Sequence, residues 1–267
     1  MPELPDVENF KRYLDANALY KKIVEVRVLN AKILRDVTER TLQMALIGHR
    51  LSASRRHGKH LLARIDKGSW LTFHFGMSGK LKYFERPEDD PRHDRFRLDF
   101  ENGHHLAYDC RRMLGRIGLA EDADVFVAAH NLGPDALDSR LTEEAFIEVL
   151  AGKRGRLKAT LMNQELLAGI GNFYSDEILF QARLNPKTEL SDLDEKQRGK
   201  LYRILRKVLD TAIETGAGSE EFADRLPKGY LLPQRRKSGT CPRCHGAIRT
   251  MKAAGRTAYY CPQCQPA

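Results

Sequence analysis

The sequence predicts an α+β fold in three parts: an antiparallel β-sandwich preceded by a short helix, a helical domain, and a C-terminal hairpin closed by cysteines. Three observations carry this reading. Short stretches of alternating polar and apolar residues fill the first half, helical periodicity begins after Leu132-Gly133-Pro134, and two CxxC pairs lie near the end. The expected boundaries are 1–130 for the sandwich, 131–227 for the helical domain, and 228–267 for a basic linker with the cysteine module.

Within 6–16, Val7, Phe10, Tyr13 and Leu14 fall near helical spacing, which predicts an amphipathic helix. Strands are expected at 23–28, 60–65, 70–75 and 96–100, with Asn102-Gly103 as a hairpin signal. Thr142 caps a helix that opens at Leu141-Thr142-Glu143-Glu144. Helical periodicity recurs over 157–168, 173–183, 192–197 and 197–215, and Gly169-Ile170-Gly171-Asn172 makes a tight turn between helices. Residues 216–240, rich in Gly, Pro and Lys, read as a linker.

The chain has 267 residues, a formal charge of +9 and a pI near 9.3. No run of 18 apolar residues exists, which excludes a membrane-spanning helix. The opening MPELPDVEN is acidic and lacks an apolar core, so no signal peptide is expected. The expected compartment is the cytoplasm, at the nucleoid in a bacterium, and a monomer is expected. The positive charge is segregated. From Lys228 onward there are Lys and Arg but no Asp or Glu, and further clusters lie at 55–59, 111–116 and 153–158. Such segregation suits a polyanion, because phosphate contacts release counterions without reading sequence.

Cys241-Pro242-Arg243-Cys244 and Cys261-Pro262-Gln263-Cys264 are separated by sixteen residues. Two such knuckles fit one tetrahedral zinc, and four thiolates leave no open coordination position, so a single structural Zn²⁺ is expected. Between them Gly255-Arg256-Thr257 forms the tip of a hairpin that zinc would hold rigid. Cys110 stands alone and reads as a reduced core thiol.

Pro2 follows the initiator methionine, whose removal would expose a secondary amine far less basic than lysine. Such an amine can attack C1′ of a deoxyribose and form an iminium ion, and the neighbouring Glu3 can carry protons.

Pro2-Glu3-Leu4-Pro5-Asp6-Val7-Glu8, the Gly58-Lys59 turn, His74-Phe75-Gly76-Met77-Ser78-Gly79-Lys80-Leu81, Leu161-Met162-Asn163-Gln164 leading to Gly169-Ile170-Gly171-Asn172, and the cysteine module occur in this order. Together they resemble the formamidopyrimidine-DNA glycosylase and endonuclease VIII family over essentially the whole chain. The resemblance implies a sandwich, a helix-two-turn-helix domain and a zinc-ribbon hairpin. It implies a bifunctional glycosylase/lyase of base excision repair, acting on double-stranded DNA with damaged bases or abasic sites.

By that resemblance Pro2 is the nucleophile, Glu3 the general acid/base, and Lys59 a contact to phosphate and sugar. Asn172, Arg256 and His74 fall to DNA binding, and Lys158, from the basic cluster at 153–158, is expected to join them. Met77 and Arg111 match the side chains that fill the gap left by a flipped base. The family's aromatic wedge is replaced by Met113 or Leu114, and its Pro before the arginines is Cys110 here. The segment 216–240, with Ser219-Glu220-Glu221-Phe222-Ala223-Asp224, looks short for a loop that closes over an oxidised purine, so relaxed lesion choice is expected. Two rivals are a catalytically silent DNA-binding protein and a zinc-ribbon RNA-binding or transcription module. Pro2, Glu3 and Lys59 together count against the first, and the sandwich counts against the second.

Overall fold

The structure, a computed structural model, describes residues 1–218 and 221–266. The chain divides into two compact units. The first holds Met1–Pro2 and Val7–His130; the second holds Glu3–Asp6 and the chain from Asn131 onward. Helix α1, Leu4–Asn17, therefore contributes its first turn to the second unit and the rest to the first.

The first unit is a β-sandwich. Its strands are β1 (Ile23–Val28), β2 (Leu51–His57), β3 (His60–Ile65), β4 (Trp70–His74), β5 (Gly79–Phe84), β6 (Asp94–Phe100), β7 (His105–Cys110) and β8 (Arg116–Ala120). They form two four-stranded sheets, ordered β1-β6-β7-β5 and β2-β3-β4-β8, with antiparallel pairing throughout. Leu61, Phe73 and Ile117 from one sheet share a buried core with Phe96, Leu98 and Tyr108 from the other. Burying such side chains on facing sheets is what stabilises a sandwich. Helices α2 (Glu39–Leu46) and α3 (Ala123–Ala129) complete the unit, capped by Thr38 and Asp122.

Four strands beyond the expected ones are present. The expected alternation is hidden in β2 (Leu51-Ser52-Ala53-Ser54-Arg55-Arg56-His57), where charge dominates the sequence. Arg56 is nearly buried there because Glu8 on α1 pairs with it at 2.9 Å. Arg55 is likewise paired, with Asp124 at 2.7 Å. The expected DNA-facing cluster at 55–59 therefore has two of its charges engaged within the unit.

The second unit is helical, with α4 (Glu143–Leu150), α5 (Leu157–Met162), α6 (Asn172–Ala182) and α7 (Glu195–Thr215), followed by the hairpin β9 (Arg249–Ala253) and β10 (Arg256–Tyr260). Thr142 caps α4 as expected, its hydroxyl accepting the Ala145 N–H. The helix expected over 157–168 stops at Met162. Gln164 shapes the turn that follows: its side chain donates to the Met162 and Ile170 carbonyls and accepts the Gly169 N–H. The two helices expected over 192–215 are one, started by a capping box between Asp194 and Gln197. Residues 216–240 are no free linker: Leu226, Leu231 and Leu232 are buried, and the Leu232 N–H donates to Glu177 at 2.8 Å. Ser219 and Glu220, part of the expected short loop, lie outside the described residues.

Candidate functional site

The Glu3 side chain is fully buried, and its position follows from unsatisfied helix termini. Its carboxylate accepts backbone N–H groups from Gly171 at 2.8 Å, Phe173 at 2.8 Å and Tyr174 at 3.1 Å, at the start of α6. The Glu3 N–H donates to Asp6 at 2.8 Å, and the Leu4 N–H donates to the Gly169 carbonyl at 3.0 Å. Glu3 is thus fixed from both sides. Gly169 and Gly171 have to lack side chains, since a Cβ on either would collide with Leu4 or with the Glu3 carboxylate.

Asn172 is the first residue of α6, and its side-chain amide donates to the Thr257 carbonyl on β10 at 3.3 Å. The buried Asn172 Oδ1 accepts no hydrogen bond among the described residues. Arg256 is exposed at the start of β10, beside a two-residue turn in which Ala254 and Gly255 both have positive φ, 52° and 68°. That turn is the kind a tight hairpin prefers.

Lys158 is corrected by the structure. It is fully buried rather than exposed to a nucleic acid. Its Nζ donates to Asp176 at 2.6 Å, Ser175 at 2.8 Å and the Asn172 carbonyl at 3.2 Å. Burial pulls its basicity down, and the Asp176 carboxylate opposes that effect. Arg235 and Arg243, counted with the basic C-terminal face, also serve inside the unit. Arg243 donates to the Phe180 carbonyl and to Gln181, while Arg235 pairs with Asp176.

The four expected zinc ligands converge. Sulfur atoms of Cys241, Cys244, Cys261 and Cys264 all lie within 4.8 Å of one another. Cys241 and Cys264 are 3.7 Å apart, and Cys244 and Cys261 are 3.4 Å apart. Tetrahedral thiolates about 2.3 Å from zinc would stand roughly 3.8 Å apart, so the donor set fits one structural Zn²⁺. The Arg243 N–H points at the Cys241 sulfur at 3.5 Å, as zinc knuckles require. Gln265, fully buried, ties the second knuckle to Leu184 and Asn185 beyond α6.

In the first unit, Lys59 sits in the β2–β3 turn after Gly58, whose φ is 55°. His74 ends β4 and lines a cavity of about 320 Å³ with His60, Arg116, Phe126 and His130. Burial, then the Lys59 charge, pushes His74 down to about 4, so it is neutral at pH 7. Its Nδ1 accepts the Gly76 N–H at 3.3 Å, which leaves the proton on Nε2. Burial likewise pushes His60 down to about 3.

Met77 and the 111–115 loop are neighbours. Gly76 approaches the Leu114-Gly115 backbone so closely that no Cβ would fit, and the Arg112 N–H donates to Ser78 at 3.1 Å. Met77 is half-buried and Arg111 exposed. Of the two alternatives beside Arg111, Met113 is half-buried with φ 50°, whereas Leu114 is 47% exposed. Sequence reasoning passed over Asp176, Glu177 and Gln265, and placed Arg235 on the basic face rather than inside the unit. The Asp176-Glu177 pair, two adjacent acids within a mostly apolar predicted helix, carried a signal.

Comparison with known proteins bears on the fold and the zinc module. The N-terminal domain of formamidopyrimidine-DNA glycosylases matches residues 1–117, their H2TH domain matches 132–224, and the zinc finger found in FPG and IleRS matches 239–267. A formamidopyrimidine-DNA glycosylase of Pelotomaculum thermopropionicum is 33% identical over 99% of both chains, and one of Carboxydothermus hydrogenoformans is 34% identical over 99% of this chain and 100% of its own. The solved complex of Lactococcus lactis Fpg with DNA containing N7-benzyl-Fapy-dG is 27% identical, covers both chains fully and superposes with a TM-score of 0.88. Fold, cysteine module and these matches together define a zinc-finger DNA glycosylase of DNA repair. The chain belongs to the formamidopyrimidine-DNA glycosylase family.

Proposed function

We propose that this chain is a bifunctional glycosylase/lyase that removes oxidised or ring-opened bases from double-stranded DNA and then cuts the strand. The observation that carries the reading is the Glu3 carboxylate, buried and held by three backbone N–H groups, one peptide bond from Pro2. A carboxylate so fixed can deliver and recover protons at a reacting sugar without reorganising.

With Met1 removed, the Pro2 amine attacks C1′ of the everted nucleotide. The C1′–N bond breaks, the base leaves with a proton, and C1′ is held as an iminium ion on Pro2. Glu3 passes a proton to the opening sugar oxygen. Loss of a C2′ proton then expels the 3′ phosphate, and a second elimination expels the 5′ phosphate. Hydrolysis of the iminium ion by water returns the free Pro2 amine and frees C1′ as an aldehyde.

In the first unit, Lys59 and the Nε2–H of His74 would donate to phosphate oxygens. Asn172 and Arg256 would hold the phosphates flanking the lesion, and Met77, Arg111 and the exposed Leu114 would fill the gap in the duplex. The four cysteines would hold one structural zinc, which would supply rigidity to the hairpin and no chemistry. Related solved complexes of Lactococcus lactis Fpg carry abasic or benzyl-Fapy DNA.

Single-turnover base release, measured on duplexes with a ring-opened purine, an oxidised pyrimidine, an abasic site and 8-oxoguanine, tests this function. The expected result is base release or strand cleavage on the first three at least comparable to that on 8-oxoguanine. No base release from any base lesion would refute the glycosylase reading, and a large preference for 8-oxoguanine would refute relaxed lesion choice alone.

A further inference from the structure

Asp176 is a buried hub on α6. One carboxylate oxygen accepts Lys158 at 2.6 Å; the other accepts Arg235 Nε at 2.9 Å and the Tyr259 N–H at 3.1 Å. Lys158 and Asp176 are wholly buried, and the Arg235 side chain is 8% exposed. The Arg235 guanidinium lies over the Phe173 ring at 4.0 Å and over the Tyr259 ring at 4.6 Å, one ring from α6 and one from β10. Such stacking suits a planar guanidinium and not an ammonium group. Arg235 is therefore spent on joining two elements and is not free to meet a phosphate.

The Thr257 carbonyl adds a second link. It accepts Asn172 Nδ2 at 3.3 Å, and Arg235 Nη2 approaches the same oxygen at 3.5 Å. When Asn172 turns its amide toward an anion, Arg235 keeps that carbonyl supplied with a donor. A half-buried carbonyl that loses its partner costs free energy, so this hand-over lowers the cost of releasing Asn172.

We propose that Arg235 is a positioning residue: it clamps β10 against the start of α6, so that Asn172 and Arg256 present a fixed spacing to one phosphate group. The inference rests on the DNA-binding role proposed above for that face. It assigns Arg235 no contact with DNA.

The test compares wild type with Arg235→Met and Arg235→Lys, reading zinc content, affinity for a duplex with a tetrahydrofuran abasic analogue, the salt slope of that affinity, and hydrogen exchange over 249–260. Arg235→Met should keep its zinc, exchange faster in β10, and bind about tenfold more weakly, the scale of one lost charged hydrogen bond. The salt slope should stay at the wild-type value, because no phosphate contact is removed. Arg235→Lys keeps the charge but not the stack, and should remain weak. Should the Met variant lose its zinc, the Lys variant decides. Wild-type affinity in the deciding variant would overturn the proposal, as would a salt slope lowered by one contact. The affinity comparison stands even if wild type fails to cross-link abasic DNA, an outcome that would sink the lyase chemistry instead.

Discussion

The Glu3 carboxylate accepts the Gly171 backbone N–H at 2.8 Å, across 168 residues of sequence. This bond explains why the turn before α6 carries glycine, since a Cβ there would occupy the carboxylate's place. Gly171→Ala should therefore displace Glu3 and lower base excision by roughly a hundredfold or more, the scale of a lost general acid/base. Glu3→Gln should do the same while keeping DNA affinity, since the lost group carries protons and not phosphate. Single-turnover excision alongside binding measures both, and an unchanged excision rate in Glu3→Gln removes Glu3 from the mechanism.

Zinc and the hairpin tip should separate cleanly. Cys244→Ser should release the metal and weaken DNA binding, with the first unit still folded. Arg256→Ala should keep the zinc and lower the salt slope by about one phosphate contact. Metal analysis with salt titrations checks both. Wild-type protein free of zinc, or an unchanged slope in Arg256→Ala, would contradict the assignment.

Glu177 gives a pH signature. Fully buried on α6, it is pushed up to about 7 by burial, against hydrogen bonds from Gln181 and Leu232 and the charge of Arg243. The folded state therefore holds its proton more tightly than the unfolded chain, whose value lies near 4.5. Its stabilising contribution is full below 4.5 and is lost as pH rises through 7, at most about 1.4 kcal/mol per pH unit. Urea titrations between pH 4 and 8 should show this slope in wild type and lose it in Glu177→Gln. Equal slopes would show that Glu177 does not titrate in this range.

The wedge is the fourth test. Leu114→Ala should weaken binding to lesion duplexes and slow excision more than Met113→Ala, because Leu114 is the exposed side chain of the pair. Fluorescence of 2-aminopurine opposite the lesion reports the insertion directly. The reverse ranking would return the role to Met113.

Much of this molecule can be read from its residues alone. The α+β fold class, the Thr142 cap, the four cysteines and the tight turn at Gly169–Asn172 all express local rules of spacing and capping. What stayed hidden depends on distant partners. Lys158 reads as a surface base within a basic run, and only Asp176 and Ser175, on another helix, allow it to be buried. Arg56 reads the same way until Glu8 is placed beside it. The order of strands in each sheet, and the packing of Gly76 against the 114–115 backbone, likewise follow from long-range pairing that no local window contains.

The central claim is that the Pro2 amine attacks the sugar, and borohydride trapping on abasic-site DNA tests it most directly. Protein with Pro2 as its free N-terminus should give a covalent cross-link, Pro2→Gly should give far less, and protein with a tag blocking that amine should give none. A blocked protein that cross-links as well as the free one would mean that a lysine forms the Schiff base, and the mechanism proposed here would be wrong.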